Sequence, residues 1–244
     1  MSNPPALTIT GVSDKGRVRE HNEDAIRWDV PGGWAVLADG MGGHLAGEVA
    51  STLAIETIAG RLGALSAEEP GQVKTVLQEA VAAANRAIHA QAQADVCCHN
   101  MGTTVVVALV HEGMLSCAHV GDSRLYRFNA EGLVLLSHDH SLVQELVDEG
   151  FLSEEEAAAS VHKNVITRAL GLQDAVDVDV LQVPATPGDL FLLCSDGLSD
   201  KIPDNELSHY LGDDGLKQLA TTLVAEANAR GGEDNISVIL MRVG

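Results

Sequence analysis

Three acidic dipeptides in this chain are of a type that could gather metal ions: Asp39-Gly40, Asp196-Gly197 and Asp234-Asn235, each beside an apolar run. A buried strand ending in Asp-Gly brings a carboxylate to the rim of a core. The glycine lets the backbone approach a ligand closely enough to offer its carbonyl. Carboxylate, carbonyl and water oxygens suit Mg²⁺ and Mn²⁺, whereas a zinc centre more often recruits His or Cys. Alone, each dipeptide reads as a turn, because Asp-Gly is a favoured turn pair. Together, with apolar strands delivering or receiving them, the three acids are expected to converge on one edge of the sheets.

The elements that would position them follow from composition and periodicity. With 244 residues, 45% of them apolar and only 3% aromatic, the chain is expected to form one domain over residues 1–244 with a core of Val, Leu, Ile and Ala. Fifteen Lys and Arg against thirty-five Asp and Glu give a charge of −20, which argues against a nucleic-acid partner and against a nuclease. Cys97, Cys98, Cys117 and Cys194 lack the spacing of a disulfide framework or zinc site, which fits a reducing cytosol. Residues 1–6 carry no export signal, and no apolar run reaches the roughly 18 residues of a membrane span. A cytoplasmic protein with no membrane partner is expected.

Residues 7–12 and 34–38 read as strands. Helices are expected over 45–62, with Leu45, Val49, Leu53 and Leu62 near one face, and over 73–94, with Val76, Leu77, Val81 and Ile88 at helical spacing. Residues 103–110, 114–120 and 124–128 read as an antiparallel meander turning at Glu112-Gly113 and Gly121-Asp122. Residues 139–171 form a small helical flap, with capping-box patterns at Ser141 to Gln144 and Ser153 to Glu156 and a stop at Gly150. Strands at 176–183, 190–195 and 236–243 and helices at 205–211 and 215–229 complete the chain. Helices grouped beside antiparallel strands indicate an α+β layered fold.

Eight motifs then occur in order: Arg19-Glu-His-Asn-Glu-Asp24, Asp39-Gly-Met-Gly-Gly-His44, Met101-Gly-Thr-Thr104, Val120-Gly-Asp-Ser-Arg124, His140-Ser-Leu-Val, Val165-Ile-Thr-Arg-Ala-Leu-Gly171, Asp196-Gly-Leu-Ser-Asp200 and Gly232-Glu-Asp-Asn235. From about Gly11 to its end the chain resembles the metal-dependent protein phosphatases of type 2C in their compact bacterial form. The resemblance implies a four-layer αββα sandwich of two central antiparallel β-sheets flanked by helical pairs. It also implies two Mn²⁺ or Mg²⁺ ions in a cleft at the sheet edges. Asp39 would bridge them, Asp196 and Asp234 would complete one site, and the Gly40 carbonyl would bind the other. Asp24 would act there directly or through water, with Glu23 a weaker candidate beside it. Asp122 and Asp196 would form a third, weaker site, with Asp200 a further candidate.

The implied activity is hydrolysis of phosphoserine and phosphothreonine in proteins, reversing a bacterial Ser/Thr kinase. Two ions about 3.5 to 4 Å apart can activate water for in-line attack on phosphorus. Arg19 is the expected phosphate ligand, since a guanidinium can grip two phosphate oxygens; its bland alternative is a surface pair with Glu20 or Glu23. Animal relatives carry a histidine where this chain has Met41, and His44 is the candidate proton donor here. A water of the metal centre is the rival donor, and a helix-orienting role for His44 is the structural alternative. His21, His138, His140 and His162 are expected to play polar loop roles. The flap would help select substrate, Arg168 would anchor its base, and a monomer is expected. The competing reading is a related module without catalysis, against which stands the presence of every acid the centre needs.

Overall fold

The computed structural model describes residues 7–42, 46–64, 72–212 and 215–244. Strands β1 (Leu7–Asp14), β7 (Arg124–Asn129), β8 (Gly132–Leu135), β10 (Leu190–Cys194) and β11 (Ile236–Val243) form one antiparallel sheet, in the order β1-β11-β10-β7-β8. The second sheet runs β2 (Asp24–Asp29), β3 (Trp34–Met41), β5 (Val105–His111), β6 (Met114–Val120) and β9 (Asp179–Pro184), with the short β4 (Gly102–Thr103) on the end of β3. Helices α1 (Ala46–Leu62) and α2 (Val73–Ala94) cover the second sheet, and α6 (Asp204–Tyr210) and α7 (Leu216–Ala229) cover the first. This is the four-layer sandwich that the family resemblance implied, and it agrees with the α+β layering read from the sequence pattern.

Strand alternation sorts the side chains into three apolar layers. In β3, Trp34, Val36 and Ala38 pack under α1 and α2, while Ala35 and Leu37 face the other sheet. In β11, Ile236, Val238 and Leu240 pack under α7, while Ile239, Met241 and Val243 meet the second sheet. Aliphatic side chains dominate all three layers, consistent with the low aromatic content.

Several sequence readings need correction. The expected meander is split: β5 and β6 form a hairpin, with Glu112 and Gly113 both at positive φ, but β7 lies in the other sheet. Gly121 makes that crossing at φ +104°, where an added Cβ would sit 2.6 Å from the Thr104 side chain. Asp39-Gly40 is no turn either, since both residues continue β3 and pair with Asp24 and Thr103 respectively. On α1 the buried face is led by Ala46, Ala50, Ala54, Ile55 and Ile58, and Val49 is exposed. Small side chains let the helix lie close to the sheet but weaken its apolar signature. Leu45 and His44 lie outside the described residues. Strands β2 and β8 were not anticipated, being short and only partly buried.

The flap follows its local signals. Ser141 caps α3 (Leu142–Asp148) and accepts from the Gln144 amide, and Ser153 and Glu156 form a full capping box on α4 (Glu154–Ala158). Gly150, at φ +76°, separates the two.

Candidate active site

Asp39 extends the row of Ala35 and Leu37 into the space between the sheets, at their rim. Both backbone groups of Asp39 are held: its N–H donates to Thr104 Oγ1 at 3.2 Å, and its carbonyl accepts from the Thr104 amide at 2.9 Å and from Thr103 Oγ1 at 2.8 Å. Thr103 and Thr104 are thus structural supports. Directly across the β2–β3 register stands Asp24. Two carboxylates in opposed positions repel unless a cation lies between them or a proton is shared.

Asp24 is buried and anchored at one oxygen only. Ser195 Oγ donates to its Oδ2 at 2.8 Å, while Oδ1 is buried without a protein partner. Ser195 in turn accepts from the Ser237 amide at 3.0 Å, and Ser237 Oγ lies 2.7 Å from Ser13 Oγ. This hydroxyl chain lies where the apolar layer between the sheets ends and the acids begin.

Asp196 opens the short helix α5 (Asp196–Ser199) immediately after β10, and its Oδ1 is also buried without a partner. Asp234 Oδ1 accepts from the Asn235 amide at 2.8 Å. Asp122, buried, follows the crossing glycine. Burial pushes the Asp39 carboxyl well above the usual range, and the charges of Asp24, Asp196, Asp122 and Asp234 push it further. Asp196 is raised likewise, by burial first and then by Asp122, Asp234, Asp200 and Asp24. Asp24 and Asp122 are each pushed up to about 6, chiefly by burial. Asp39 therefore lies in the field of four acids brought together from four other segments of the chain.

The other candidates fall around them. The Gly40 amide donates to the Glu23 carbonyl at 3.1 Å, and a Cβ on Gly40 would collide with the Gly47 carbonyl of α1, so only glycine fits. Glu23 is raised by burial, and its Oε1 is buried without a partner. Arg19 lies at the site, 47% exposed, with Nη2 2.7 Å from Asp234 Oδ2; its partner is neither Glu20 nor Glu23. Asp200 Oδ2 is 2.6 Å from Lys163 Nζ of the flap. Arg168 holds Asp179 at 2.7 Å and so anchors the flap base.

Asn235, beside Asp234, is a hydrogen-bond hub. Its Oδ1 accepts from the Glu23 amide at 2.8 Å, and its Nδ2 donates to the carbonyls of Lys15 at 3.0 Å and His21 at 2.9 Å. It therefore closes the loop carrying Arg19 over Asp234. Nothing local in Asp-Asn before a strand signals this, because every partner of the Asn235 side chain lies more than 200 residues away in the chain.

A two-sheet sandwich with a multi-acid rim defines a class of metal-dependent hydrolases, and comparison with known proteins narrows it. The family model for protein phosphatase 2C matches residues 15–240, and the chain belongs to that family. It is 38% identical over 237 residues to the serine/threonine phosphatase stp of Listeria innocua, covering 94% of this chain and 93% of that one. The crystal structure of the Mycobacterium tuberculosis serine/threonine phosphatase PstP/Ppp superposes with a TM-score of 0.91 at 37% identity, covering 97% of this chain and 98% of that one. A structure of the PstP catalytic domain in complex with two manganese ions superposes at 0.88, also at 37% identity, with the same coverage.

Proposed function

We propose that this protein removes phosphate from phosphoserine and phosphothreonine in proteins, using two Mn²⁺ or Mg²⁺ ions held by the acidic rim. One observation carries the reading: Asp24 and Asp39 face each other across adjacent strands, in the field of three more carboxylates, with Asp24 Oδ1 and Asp196 Oδ1 buried and unpartnered. Such an arrangement gains stability at neutral pH when cations are bound. Oxygen-only donors fit hard divalent ions. The manganese pair in the PstP structure supports the same assignment.

Asp39, Asp196, Asp234, Asp24 and the Gly40 carbonyl would hold the pair, with Glu23 adjoining. Asp122 with Asp196, and Asp200 as a further donor, would hold a weaker third ion. The ions supply Lewis acidity and an activated water for in-line attack on phosphorus. Arg19, paired with Asp234 and about half exposed, would be free to grip substrate phosphate oxygens if Asp234 served as a metal ligand. His44 would donate the proton to the leaving serine or threonine oxygen.

The substrates would be products of a bacterial Ser/Thr kinase, met in the cytoplasm by a monomer comprising one catalytic domain, without nucleic-acid or membrane contact. Among the described residues no helix is long and apolar enough to cross a membrane. Hydrolysis of a phosphothreonine peptide by wild type and Asp196→Asn, with EDTA, Mg²⁺ or Mn²⁺, tests the reading. Metal-dependent turnover lost in the variant is expected; a folded, metal-loaded wild type without turnover would favour the non-catalytic module.

A further inference from the structure

The motif beginning at His140 finds no use in the reaction above, yet its ring is 5% exposed and touches three parts of the fold. Its backbone N–H donates to the Gly121 carbonyl at 3.0 Å, and its Nδ1 accepts from the Gly121 amide at 3.0 Å. Both backbone groups of the glycine preceding Asp122 are thus held by one residue. On the flap side, the His140 carbonyl accepts from the Thr167 amide at 2.9 Å. Nε2 lies 3.1 Å from Arg168 Nη1 and 3.4 Å from Asp179 Oδ2; because Nδ1 accepts from Gly121, Nε2 carries the hydrogen, so Asp179 is its acceptor and the guanidinium a close neighbour that holds the same carboxylate.

A metal-binding alternative presents itself, because His119, His140 and Asp179 place ligand atoms within 4.8 Å of one another and His119 Nδ1 is buried without a partner. Hydrogen-bond chemistry argues against it. With Nδ1 accepting from Gly121, the neutral His140 ring carries its hydrogen on Nε2, facing Asp179, and keeps no lone pair for an ion. Asp179 is already engaged by Arg168. The ring stacks on His119 at 5.0 Å with an interplanar angle of 16°, which fixes its plane as well.

We propose that His140 is a positioning residue: it sets the Gly121-Asp122 turn, and through it the Asp122 carboxylate, for the weak third ion, and ties that turn to the base of the flap. The inference rests on the reading of Asp122 as an ion ligand. Gly121 is the point where the chain crosses between sheets at φ +104°, so β6 and β7 pairing leaves it outside both ladders. The His140 contacts supply the hydrogen bonds that a ladder would otherwise give.

The test is Mn²⁺ binding followed by electron paramagnetic resonance and calorimetry on the full chain, for wild type, His140→Leu, His140→Asn, Asp122→Asn and the Asp122→Asn/His140→Leu double variant. Asparagine places Oδ1 where Nδ1 stood and keeps the acceptor for Gly121. Leucine should weaken the weakest Mn²⁺ affinity about tenfold, the scale of one lost buried hydrogen bond, and leave tighter sites within about twofold. Asparagine should restore the wild-type value to within about threefold, and leucine should add nothing in the Asp122→Asn background. An unchanged weak affinity in His140→Leu overturns the proposal, as does an equal loss at every ion or no rescue by asparagine. If Asp122→Asn itself binds Mn²⁺ like wild type, the reading of Asp122 fails and takes the proposal with it.

Discussion

Replacing Asp39 by asparagine should strengthen the metal-free protein while abolishing its catalysis, and proton linkage sets the scale. The Asp39 carboxyl in the fold is raised well above its ordinary 3.8, by burial first and then by the neighbouring carboxylates, so as pH rises past 3.8 the unfolded chain releases its proton before the native state does. A carboxyl raised in this way stabilises the fold fully below about pH 4, and that stabilisation is lost as pH rises toward the folded value. The slope is up to about 1.4 kcal/mol per pH unit for each such group. Asp24, moved from 3.8 to about 6, contributes a loss of about 3 kcal/mol between the two limits. Asparagine at position 39 carries no such linkage and also relieves the field on Asp196 and Asp24. In EDTA, Asp39→Asn should therefore be about 2 kcal/mol or more above wild type at about pH 7.5, and the gap should narrow toward about pH 5. Urea denaturation at several pH values reads this directly. With Mn²⁺ the order should invert, because wild type gains by mass action what the variant cannot. A variant weaker than wild type in EDTA, or a gap that ignores pH, would refute the electrostatic account of the site.

Three further outcomes follow from the same geometry. Gly40→Ala pushes a methyl into the Gly47 and Glu23 carbonyls and should cost about 2 to 3 kcal/mol in denaturation along with most of the activity. Ser195→Ala strips a donor from Asp24 Oδ2 and an acceptor from the Ser237 amide. Calorimetry should show weaker Mn²⁺ binding, more so at about pH 6 than at about pH 8, because Asp24 then holds its proton more tightly. Arg19→Ala removes an exposed ion pair, so the melting free energy should change by less than about 1 kcal/mol, while KM for a phosphothreonine peptide rises about tenfold. Arg19→Lys should fall between, and an unchanged KM would remove Arg19 from the phosphate site.

Local physics made much of the architecture legible. α2 and β11 have the limits that periodicity implies. Glu112-Gly113 turns where its φ preference allows, and both flap helices begin at their capping serines. These features depend on neighbours within about four residues. The charge of −20 likewise follows from composition alone.

Long-range pairing decided the rest. Residue types and motif order identified Asp24, Asp39, Asp122, Asp196 and Asp234 as candidates, but their convergence depends on the register that sets Asp24 opposite Asp39 and on the facing of two sheets. The crossing at Gly121, the Asn235 hub and the double hold of His140 on Gly121 were invisible beforehand. Chain neighbours specify backbone conformation through sterics and capping. Which carboxylates are buried together, and hence how strongly they call for cations, is set only when segments some 200 residues apart are packed against each other.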